Sequence, residues 1–281
     1  MRVSIVIPVF NEEAAIRDCL SCIVNQTVPV HECVIVDNNS TDHTLEVVKE
    51  FAQLLPLVIR SEDRQGVAWA RQNGMSAASG DLLGQIDADS RLESDWVEAA
   101  SKYMSANPDV SGANGPFYFF DSPFTPKARA AVRAASSKYE LRDVGRASGL
   151  SGGNSVVRRE AWHAASRHLI NAPGTHEDVD LSYALKRSGA DIRQLPAMIV
   201  SISTRRYRAS LVSNWKYLRA TIRTQRVHGD VRAAMFQTLV LPINLVQFSI
   251  AGVIFRSYDS DSGRWRLFGR QRRERTSPVT E

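Results

Sequence analysis

The sequence predicts an α/β protein whose mostly parallel sheet is flanked by helices. Apolar runs rich in β-branched residues alternate with helical patterns four times in roughly the first ninety residues. Such alternation is typical of parallel strands joined by right-handed crossovers. The first run is apolar on both faces, as expected of a central strand. With 281 residues, 43% of them hydrophobic and 23% charged, the chain is long and apolar enough to bury a large core.

The predicted elements follow one another in a regular order through the first half of the chain. They are a strand over 3–10, a helix over 12–24, a strand over 33–36, a helix from about 42 to 51, a strand over 57–59, a helix from 66 to about 80 and an apolar run from 82. The spacing of apolar residues in the rest of the chain is less regular. It predicts helices near 93–106, 126–142, 159–169 and 178–188, and a strand near 196–202.

Two carboxylates follow the apolar run that begins at Leu82. If that run is a strand through Asp89, the side chains of Asp87 and Asp89 leave the same face and converge at the carboxyl edge of the sheet. Two converging carboxylates need a positive partner, and a divalent cation with oxygen ligands is the usual one. An ordinary solvated turn is the alternative, because this short motif is common by chance.

Polar and aromatic groups also stand at the carboxyl ends of the first two predicted strands. Phe10 and Glu12 follow the first strand, and Asp37 ends the second, so together they could contact a nucleotide. Asp37 could equally be a turn or capping residue. No Gly-x-Gly-x-x-Gly follows the first strand and no Gly-Lys-Ser/Thr loop is present, which argues against a dinucleotide-dependent dehydrogenase and a P-loop enzyme.

Arginines and a second acidic run complete the candidate site. Arg71, Arg205 and Arg206 could neutralise a bound diphosphate, although a solvated helix face is an equal alternative for Arg71. The acidic run over 176–180 precedes a helical pattern that Gly189 ends. Its carboxylates either cap and charge the start of that helix or supply a general base aimed at a hydroxyl. The glycine pair at 152–153 allows close approach of a ligand, or forms a turn.

The cysteines and the N-terminus indicate an intracellular protein. Cys19 and Cys22 have the spacing of a redox or metal site, but they share a helical face with apolar residues and no second ligand pair follows. Packing in the core is therefore the favoured interpretation. The first apolar run is short and ends at Pro8, so we expect no signal peptide and a cytosolic N-terminal body.

Taken in order, these stretches resemble the family 2 glycosyltransferases, which are inverting enzymes of the Rossmann-like GT-A fold. The resemblance covers residues 3 to about 207 and depends on five or six ordered blocks. The blocks lie at 5–13, 26–27, 34–44, 66–74, 80–81 and 87–90. The family implies a nucleotide-diphosphate sugar as donor, with UDP the commonest nucleotide, and a hydroxyl of a glycan or lipid-linked sugar as acceptor.

The resemblance implies a role for each residue that faces the donor. Asp37 would hold the base, and Pro8, Phe10 and Glu12 would line the base and ribose pocket. Asp87 would face the ribose and the metal, and Asp89 would bind a Mg²⁺ or Mn²⁺ ion that bridges the diphosphate and stabilises its departure.

Asp178, beside Glu177, occupies the position of the family's general base and would deprotonate the acceptor hydroxyl. The chain departs from many relatives at Arg205 and Arg206, where those proteins carry a histidine, and contact of either arginine with phosphate is a hypothesis. The Gln-x-x-Arg-Trp motif of processive synthases is absent, so we expect one sugar to be transferred per encounter.

Two other functions remain open at this point. A nucleotidyltransferase also combines a parallel α/β sheet with a metal bound by carboxylates, but it would release pyrophosphate from a nucleoside triphosphate. A binding or scaffold protein that resembles a glycosyltransferase would be unaffected by the change Asp178→Asn, which should abolish sugar transfer in an enzyme.

The end of the chain predicts a surface-associating appendage. Residues 233–255 carry no charge, and Gln237, Asn244 and Gln247 share one helical stripe. Phe236, Leu239, Val240, Ile243, Val246 and Ile250 lie largely opposite that stripe. This pattern favours an amphipathic helix in a membrane interface; burial against the body or a partner subunit in a homodimer, and a true membrane span, are the alternatives.

A basic tail follows, with seven arginines between Arg256 and Arg275. It could contact anionic lipid or nucleic acid, or be a solvated end, and we expect a membrane surface and no nucleic-acid partner. We therefore divide the chain into a GT-A domain over 1–207, a helical segment over 208–255 and a flexible basic tail over 256–281. The enzyme would act in polysaccharide or glycolipid biosynthesis at the cytoplasmic face of a membrane.

Overall fold

The protein was analysed as a computed structural model that describes residues 1–138 and 145–265. The strands are β1 (Val3–Val9), β2 (Glu32–Asp37), β3 (Leu57–Ser61), β4 (Leu82–Ile86), β5 (Arg91–Leu92), β6 (Gly112–Asn114), β7 (Phe117–Phe119), β8 (Asn154–Arg158), β9 (Ile192–Gln194), β10 (Val200–Ile202), β11 (Tyr258–Asp259) and β12 (Arg264–Trp265).

The helices alternate with these strands in the first half of the chain and dominate its end. They are α1 (Ile16–Val24), α2 (Thr44–Lys49), α3 (Val67–Ala77), α4 (Trp96–Ala106), α5 (Thr125–Lys138), α6 (Arg159–Ser166), α7 (Glu177–Arg187), α8 (Arg205–Arg208), α9 (Leu211–Val227) and α10 (Val231–Arg256).

A seven-stranded sheet in the order β3-β2-β1-β4-β8-β6-β9 forms the centre of the molecule. The four strands at the β3 end are parallel, and the pairing of Val9 with Asp37 brings the ends of β1 and β2 to the same edge. Strand β8 runs antiparallel between β4 and β6, whereas β6 and β9 are parallel. The predicted mostly parallel α/β sheet is therefore confirmed. The short strands β6, β7 and β9 were not predicted, because three residues are too few to show periodicity.

Helix α1 begins later than predicted, at Ile16 rather than at Glu12. Asn11 adopts a left-handed conformation with φ of 53°, which turns the chain at the end of β1. The Glu12 carbonyl then accepts the Ile16 amide at 3.0 Å. The Glu12 side chain is thereby free to point away from the helix, and its carboxylate is buried.

The core lies on both faces of the sheet. One cluster packs α1 and α4 against it and includes Cys19 and Cys33, which have no exposed surface. Burial raises the pKa of the Cys33 thiol to about 12, so this thiol stays protonated. The other cluster packs α3, α6 and α7 on the opposite face. The interpretation of Cys19 as a core residue is confirmed.

A second, smaller sheet and three C-terminal helices complete the fold. Strand β10 pairs with β5 and β7, and α8, α9 and α10 come after it in the chain. The predicted C-terminal helix is present as the 26-residue α10, which continues through Pro242. Arg266, Arg270, Arg272, Arg273 and Arg275 of the predicted basic tail lie outside the described residues.

Helix α10 exposes an apolar face to solvent. Within the described residues it is the one helix long and apolar enough to cross a bilayer, a criterion of length and composition only. Its side chains Met235, Phe236, Leu239, Ile243, Val246, Ile250 and Val253 are 57–77% exposed. On its other side Gly252 and Phe255 are buried, and the Phe248 ring lies 4.7 Å from that of Tyr207. The helix is therefore only partly covered by the body of the protein.

Gly74 allows α3 to approach the sheet closely. A Cβ atom at this position would lie 2.5 Å from Val6 Cγ1 and 2.8 Å from Val36 Cγ2, both on buried strands. Because branched side chains in a sheet have little freedom to move, we expect Gly74→Ala to lower the free energy of unfolding by about 1–3 kcal/mol. Urea denaturation of the two proteins measures this change.

Gly145→Ala is the matched control, since a Cβ at Gly145 meets nothing within 4 Å. We expect this variant to unfold at the wild-type denaturant concentration. Equal stabilities for the Gly74 variant and the wild type would contradict the close packing of α3 on β1 and β2.

Candidate active site

A cavity of about 950 Å³ opens beyond the carboxyl end of β4. Its walls come from the turn after β4, the glycine loop before β8, the first turn of α7 and the segment around α8. The acidic and basic residues that line it, including one histidine, are Asp18, Arg71, Asp87, Asp89, Arg91, Asp121, His176, Glu177, Asp178, Arg205, Arg206, Arg208 and Asp261. Seven of the predicted site residues are therefore brought together, namely Arg71, Asp87, Asp89, Glu177, Asp178, Arg205 and Arg206.

Asp87 and Asp89 lie in a turn and not on a strand. Strand β4 ends at Ile86, and the Ser90 amide donates to the Asp87 carbonyl at 3.0 Å. The argument from alternating strand side chains was therefore wrong, because it requires extended backbone through Asp89. The two carboxylates bond to different arginines, Arg71 and Arg205.

Arg71 is buried among the predicted site residues. Its Nη2 atom donates to Asp87 Oδ1 at 2.8 Å and lies 3.5 Å from Glu177 Oε1, and its Nη1 atom donates to the Gly152 carbonyl. Burial opposes its charge, yet Glu177 and Asp87 raise the pKa of Arg71. The alternative of a solvated helix face is wrong, since the residue is only 4% exposed. Arg71 orients the two carboxylates.

The glycine loop packs directly on this arginine. A Cβ on Gly153 would lie 2.8 Å from Asp87 Oδ2, and one on Gly152 would lie 3.0 Å from Arg71 Nη1. Larger residues would push the loop away from the carboxylates. The glycines are needed here for close approach of the chain to its own charged groups.

Arg205 joins two acidic groups that are far apart in the sequence. Its Nη1 donates to Glu12 Oε2 at 2.8 Å, and its Nη2 lies 2.7 Å from Asp89 Oδ2. The Glu12 side chain is only 2% exposed. Burial of Arg205 opposes its charge, but the Asp89 and Glu12 carboxylates raise its pKa. A guanidinium therefore already neutralises carboxylate oxygens of the type that bind a hard divalent cation.

The carboxylates of α7 point in two directions. Asp180 is buried, accepts the Asn171 amide at 2.8 Å and lies 2.6 Å from His228 Nε2, so it stabilises the fold. Asp178 lines the cavity, and its Oδ2 accepts the Gly152 amide at 3.4 Å. It also accepts the Val179 amide at 2.8 Å, which is compatible with stabilising the start of the helix.

A second potential metal-binding group lies beside Asp178. Within residues 1–138 and 145–265, ligand atoms of His176, Glu177 and Asp178 lie within 4.8 Å of one another. The His176 Nε2 atom is 2.8 Å from the Tyr217 carbonyl oxygen, and the Glu177 carboxylate lies near Arg71. Both residues thus have partners from the protein.

The residues predicted to bind the base and ribose lie at the ends of β1 and β2. Asp37 is buried, and its Oδ1 accepts the Ser40 amide at 3.2 Å. Pro8 and Phe10 are half-buried near the same sheet edge. These residues do not line the cavity, and Glu12 connects the two regions through Arg205.

An aromatic wall of the cavity was missed from the sequence. Tyr217 on α9 and Phe248 on α10 line it, and the Arg206 guanidinium lies 4.3 Å from the Tyr217 ring centre. Burial, with a contribution from Asp178, raises the pKa of Tyr217 to about 12. Aromatic residues at helical spacing usually indicate packing, so the sequence carries no signal that would distinguish these two.

Comparison with known proteins identifies relatives that match part of the chain. Glycosyltransferase AglE of Haloferax volcanii is 34% identical over 123 residues, which cover 42% of this chain and 40% of that protein. Glycosyltransferase GlyA of Streptococcus pneumoniae is 31% identical over 128 residues, which cover 42% of this chain and 18% of that protein. The match thus spans less than half the length of either relative.

Solved structures share the fold at lower identity. A mannosyltransferase from Pyrobaculum calidifontis, solved with GDP-Man and Mn²⁺, superposes with a TM-score of 0.61 at 21% identity, covering 89% of this chain and 73% of that one. TarS 1–349 of S. aureus, solved with UDP-GlcNAc, gives a TM-score of 0.57 at 16% identity, covering 73% and 59%. The predicted GT-A architecture is therefore confirmed.

The sequence model described as "Glycosyl transferase family 2" matches residues 4–164, more than half of the 281 residues. This region contains the sheet from β1 to β8, the Asp87–Asp89 turn and the glycine loop. The chain belongs to glycosyl transferase family 2.

Proposed function

We propose that this protein transfers a sugar from a nucleotide-diphosphate donor to an acceptor hydroxyl, with inversion at the anomeric carbon. The observation that carries the proposal is the position of Asp178 in the same cavity as Asp87 and Asp89. In the part of the chain that the structure describes, Asp178 forms no ion pair, whereas those two carboxylates are each bound to an arginine. Family membership favours sugar transfer over the nucleotidyltransferase alternative.

Asp178 is suited to act as the general base. Its two backbone hydrogen bonds, from Gly152 and Val179, fix the carboxylate while leaving it in contact with the cavity. A carboxylate held in this way can accept the proton of an incoming hydroxyl as that oxygen attacks the sugar. Attack from the face opposite the departing diphosphate inverts the configuration. Glu177, held by Arg71, lies beside it and contributes to acceptor or donor binding.

The donor nucleotide is assigned to the ends of β1 and β2. Asp37 would accept hydrogen bonds from the base, and Pro8, Phe10 and Glu12 would line the pocket for base and ribose. Solved relatives of this fold carry UDP-GlcNAc or GDP-Man. Since UDP is the commonest donor nucleotide in the family, we propose UDP for this protein.

The diphosphate is assigned to the cation-rich part of the cavity. Arg205 and Arg206, which both line the cavity, would donate hydrogen bonds to phosphate oxygens. Asp89 and Asp87 would hold a Mn²⁺ or Mg²⁺ ion, and the guanidinium already bound to Asp89 supports the suitability of this site for a cation. Such an ion, when bound, supplies Lewis-acid stabilisation of the leaving diphosphate.

The acceptor is proposed to be a glycan or lipid-linked sugar that reaches the enzyme at a membrane. Helix α10 contributes Phe248 to the cavity wall and exposes an uncharged apolar face elsewhere. Arg232 and Arg256, both exposed, flank this helix and suit anionic headgroups. We therefore propose that 208–255 docks on the cytoplasmic face of a membrane, that the enzyme adds one sugar per encounter, and that it serves polysaccharide or glycolipid synthesis.

We expect Asp178→Asn to lower the rate of sugar transfer by about 10²–10⁴-fold, because the amide cannot accept the acceptor proton. Donor affinity should stay within about twofold of the wild type, since the substitution keeps the shape of the side chain. Steady-state kinetics and calorimetric titration with the donor measure the two effects. Unchanged transfer would contradict the assignment of Asp178 and favour the scaffold alternative.

Asp180→Asn, two residues further along α7, is the matched control. Asp180 contacts His228 and backbone amides in the core, so we expect this variant to have a lower melting temperature. Its transfer rate per folded molecule should remain near that of the wild type.

A thermal-shift panel of UDP-, GDP- and dTDP-sugars, each with and without Mn²⁺, identifies the donor. A ligand at a hundredfold excess over its dissociation constant stabilises the folded state by about 2.7 kcal/mol, which gives a clear rise in melting temperature. We expect a UDP-sugar with Mn²⁺ to give the largest rise. If no nucleotide sugar stabilises the protein with metal present, the proposed function is wrong.

Replacing Leu239 and Ile243 together by glutamate should weaken binding to phosphatidylglycerol vesicles at least tenfold. Burial of each aliphatic side chain contributes about 1.5–3 kcal/mol, and both side chains belong to the exposed face of α10. Gln247→Glu adds a charge at the edge of the exposed apolar face without removing an apolar side chain, and serves as the control for charge alone. Vesicle sedimentation measures binding, and transfer to a soluble acceptor should be unaffected.

Two outcomes would contradict the membrane-interface proposal. If the wild-type protein forms a stable dimer and does not bind anionic vesicles, a second subunit covers α10. Retention in membranes after washing with alkaline carbonate would indicate a true span.

A further inference from the structure

The Arg205 guanidinium lies against Asp89, the carboxylate proposed to hold a metal ion. Nη1 and Nη2 bond to the two oxygens of Glu12 at 2.8 and 3.2 Å, in the paired geometry typical of arginine and carboxylate. Nε and Nη2 lie 3.1 and 2.7 Å from the same oxygen, Asp89 Oδ2. One side chain thus satisfies two carboxylates simultaneously.

A metal ion cannot bind beside the Arg205 guanidinium in this arrangement unless the arginine side chain moves. The guanidinium of an arginine is charged at any pH the folded protein experiences, and that of Arg205 is held between the Glu12 and Asp89 carboxylates. A divalent ion bound to Asp89 Oδ2 would lie against that guanidinium, and two cations at such a separation repel each other in a partly buried site. Metal binding through Asp89 Oδ2 therefore requires Arg205 to release this oxygen.

An incoming diphosphate provides an alternative partner for Arg205. Its contacts with Asp89 use Nε and Nη2, whereas Nη1 donates to Glu12. Arg205 can therefore keep its hydrogen bond to Glu12 and replace its contacts with Asp89 by contacts with phosphate oxygens. Phosphate oxygens, like those of a carboxylate, accept paired hydrogen bonds from arginine. The exchange would remove the guanidinium from Asp89 Oδ2, so that this oxygen could contribute to holding a metal ion while the diphosphate is bound.

We propose that Arg205 is a gate that couples metal binding to donor binding. Without nucleotide, the guanidinium holds Asp89 and the metal binds weakly; with a nucleoside diphosphate, Arg205 moves to the phosphates and the metal binds tightly. This inference rests on the proposed function, because it assumes that a nucleotide diphosphate enters the cavity. Coupling of this kind is reciprocal, so the metal raises nucleotide affinity by the same factor.

The test measures binding of Mn²⁺ alone by the loss of its free-ion electron paramagnetic resonance signal. In the absence of nucleotide, we expect Arg205→Gln to bind Mn²⁺ at least tenfold more tightly than the wild type, equivalent to about 1.4 kcal/mol. Arg91→Gln is the matched control. Arg91 also lines the cavity, but it pairs with Asp18, so this variant should bind Mn²⁺ like the wild type.

A second measurement needs no variant. Calorimetric titration of the wild type with UDP, GDP and dTDP should show at least a tenfold higher affinity for one of them when Mn²⁺ is present. In Arg205→Gln the same ratio should be at least threefold smaller than in the wild type, because the metal no longer depends on the nucleotide to release Asp89 and only direct contact between metal and diphosphate couples the two.

These measurements distinguish results that contradict the gate from results that contradict the proposed function. Equal Mn²⁺ affinity of the wild type and Arg205→Gln without nucleotide would overturn the gate, as would a wild-type nucleotide affinity that Mn²⁺ does not change. In either case nucleotide binding itself would still support the proposed function. If none of the three diphosphates binds with or without Mn²⁺, both proposals are wrong.

Discussion

The compensation of buried acidic charge by two arginines is the constraint on which this site depends. Carboxylates withdrawn from water are stable only when a positive group or several hydrogen-bond donors replace the lost hydration. Arg71 provides the positive charge for Asp87 and Glu177. Arg205 provides it for Glu12 and Asp89. The acidic residues can therefore be gathered in one cavity before any ligand arrives.

The same constraint separates residues that support the site from those that can react. Arg71 is enclosed, and its hydrogen bonds join α3 to the turn after β4 and to the glycine loop. Arg205 is more accessible and bridges two carboxylates that belong to different parts of the site. Asp178 accepts hydrogen bonds from the backbone amides of Gly152 and Val179, and among the described residues it forms no ion pair with an arginine.

Helix α10 connects the site to the outside of the molecule. Through Phe248 it closes one side of the cavity, and through its exposed aliphatic side chains it presents a surface that water solvates poorly. The polar stripe predicted from the sequence does not face solvent uniformly, since Gln237 and Asn244 are half-buried and Gln247 is exposed. The apolar surface of α10 and one wall of the cavity therefore belong to the same helix.

Local pattern was sufficient for much of the fold. Strands β1 to β4 and the amphipathic helix α1 were recognisable because their periodicity persists over several residues, whereas the five-residue strand β8 and three-residue strands such as β6 were not predicted. The end of β4 was also misjudged, since nothing in the order of residues 85–89 shows where extended backbone gives way to a turn. The chemical types at the site were predictable from the motifs, and the aromatic wall was not.

The sequence by itself determined the α/β class, the family and which side chains carry charge in the site, because these follow from composition, period and short motifs. Only the tertiary structure decided which charges meet. Arg205 stands 193 positions from Glu12 and 116 from Asp89, and Arg71 is separated from Gly152 by 81. No local pattern encodes such pairings, since they arise when strands distant in the chain end at one edge of a sheet.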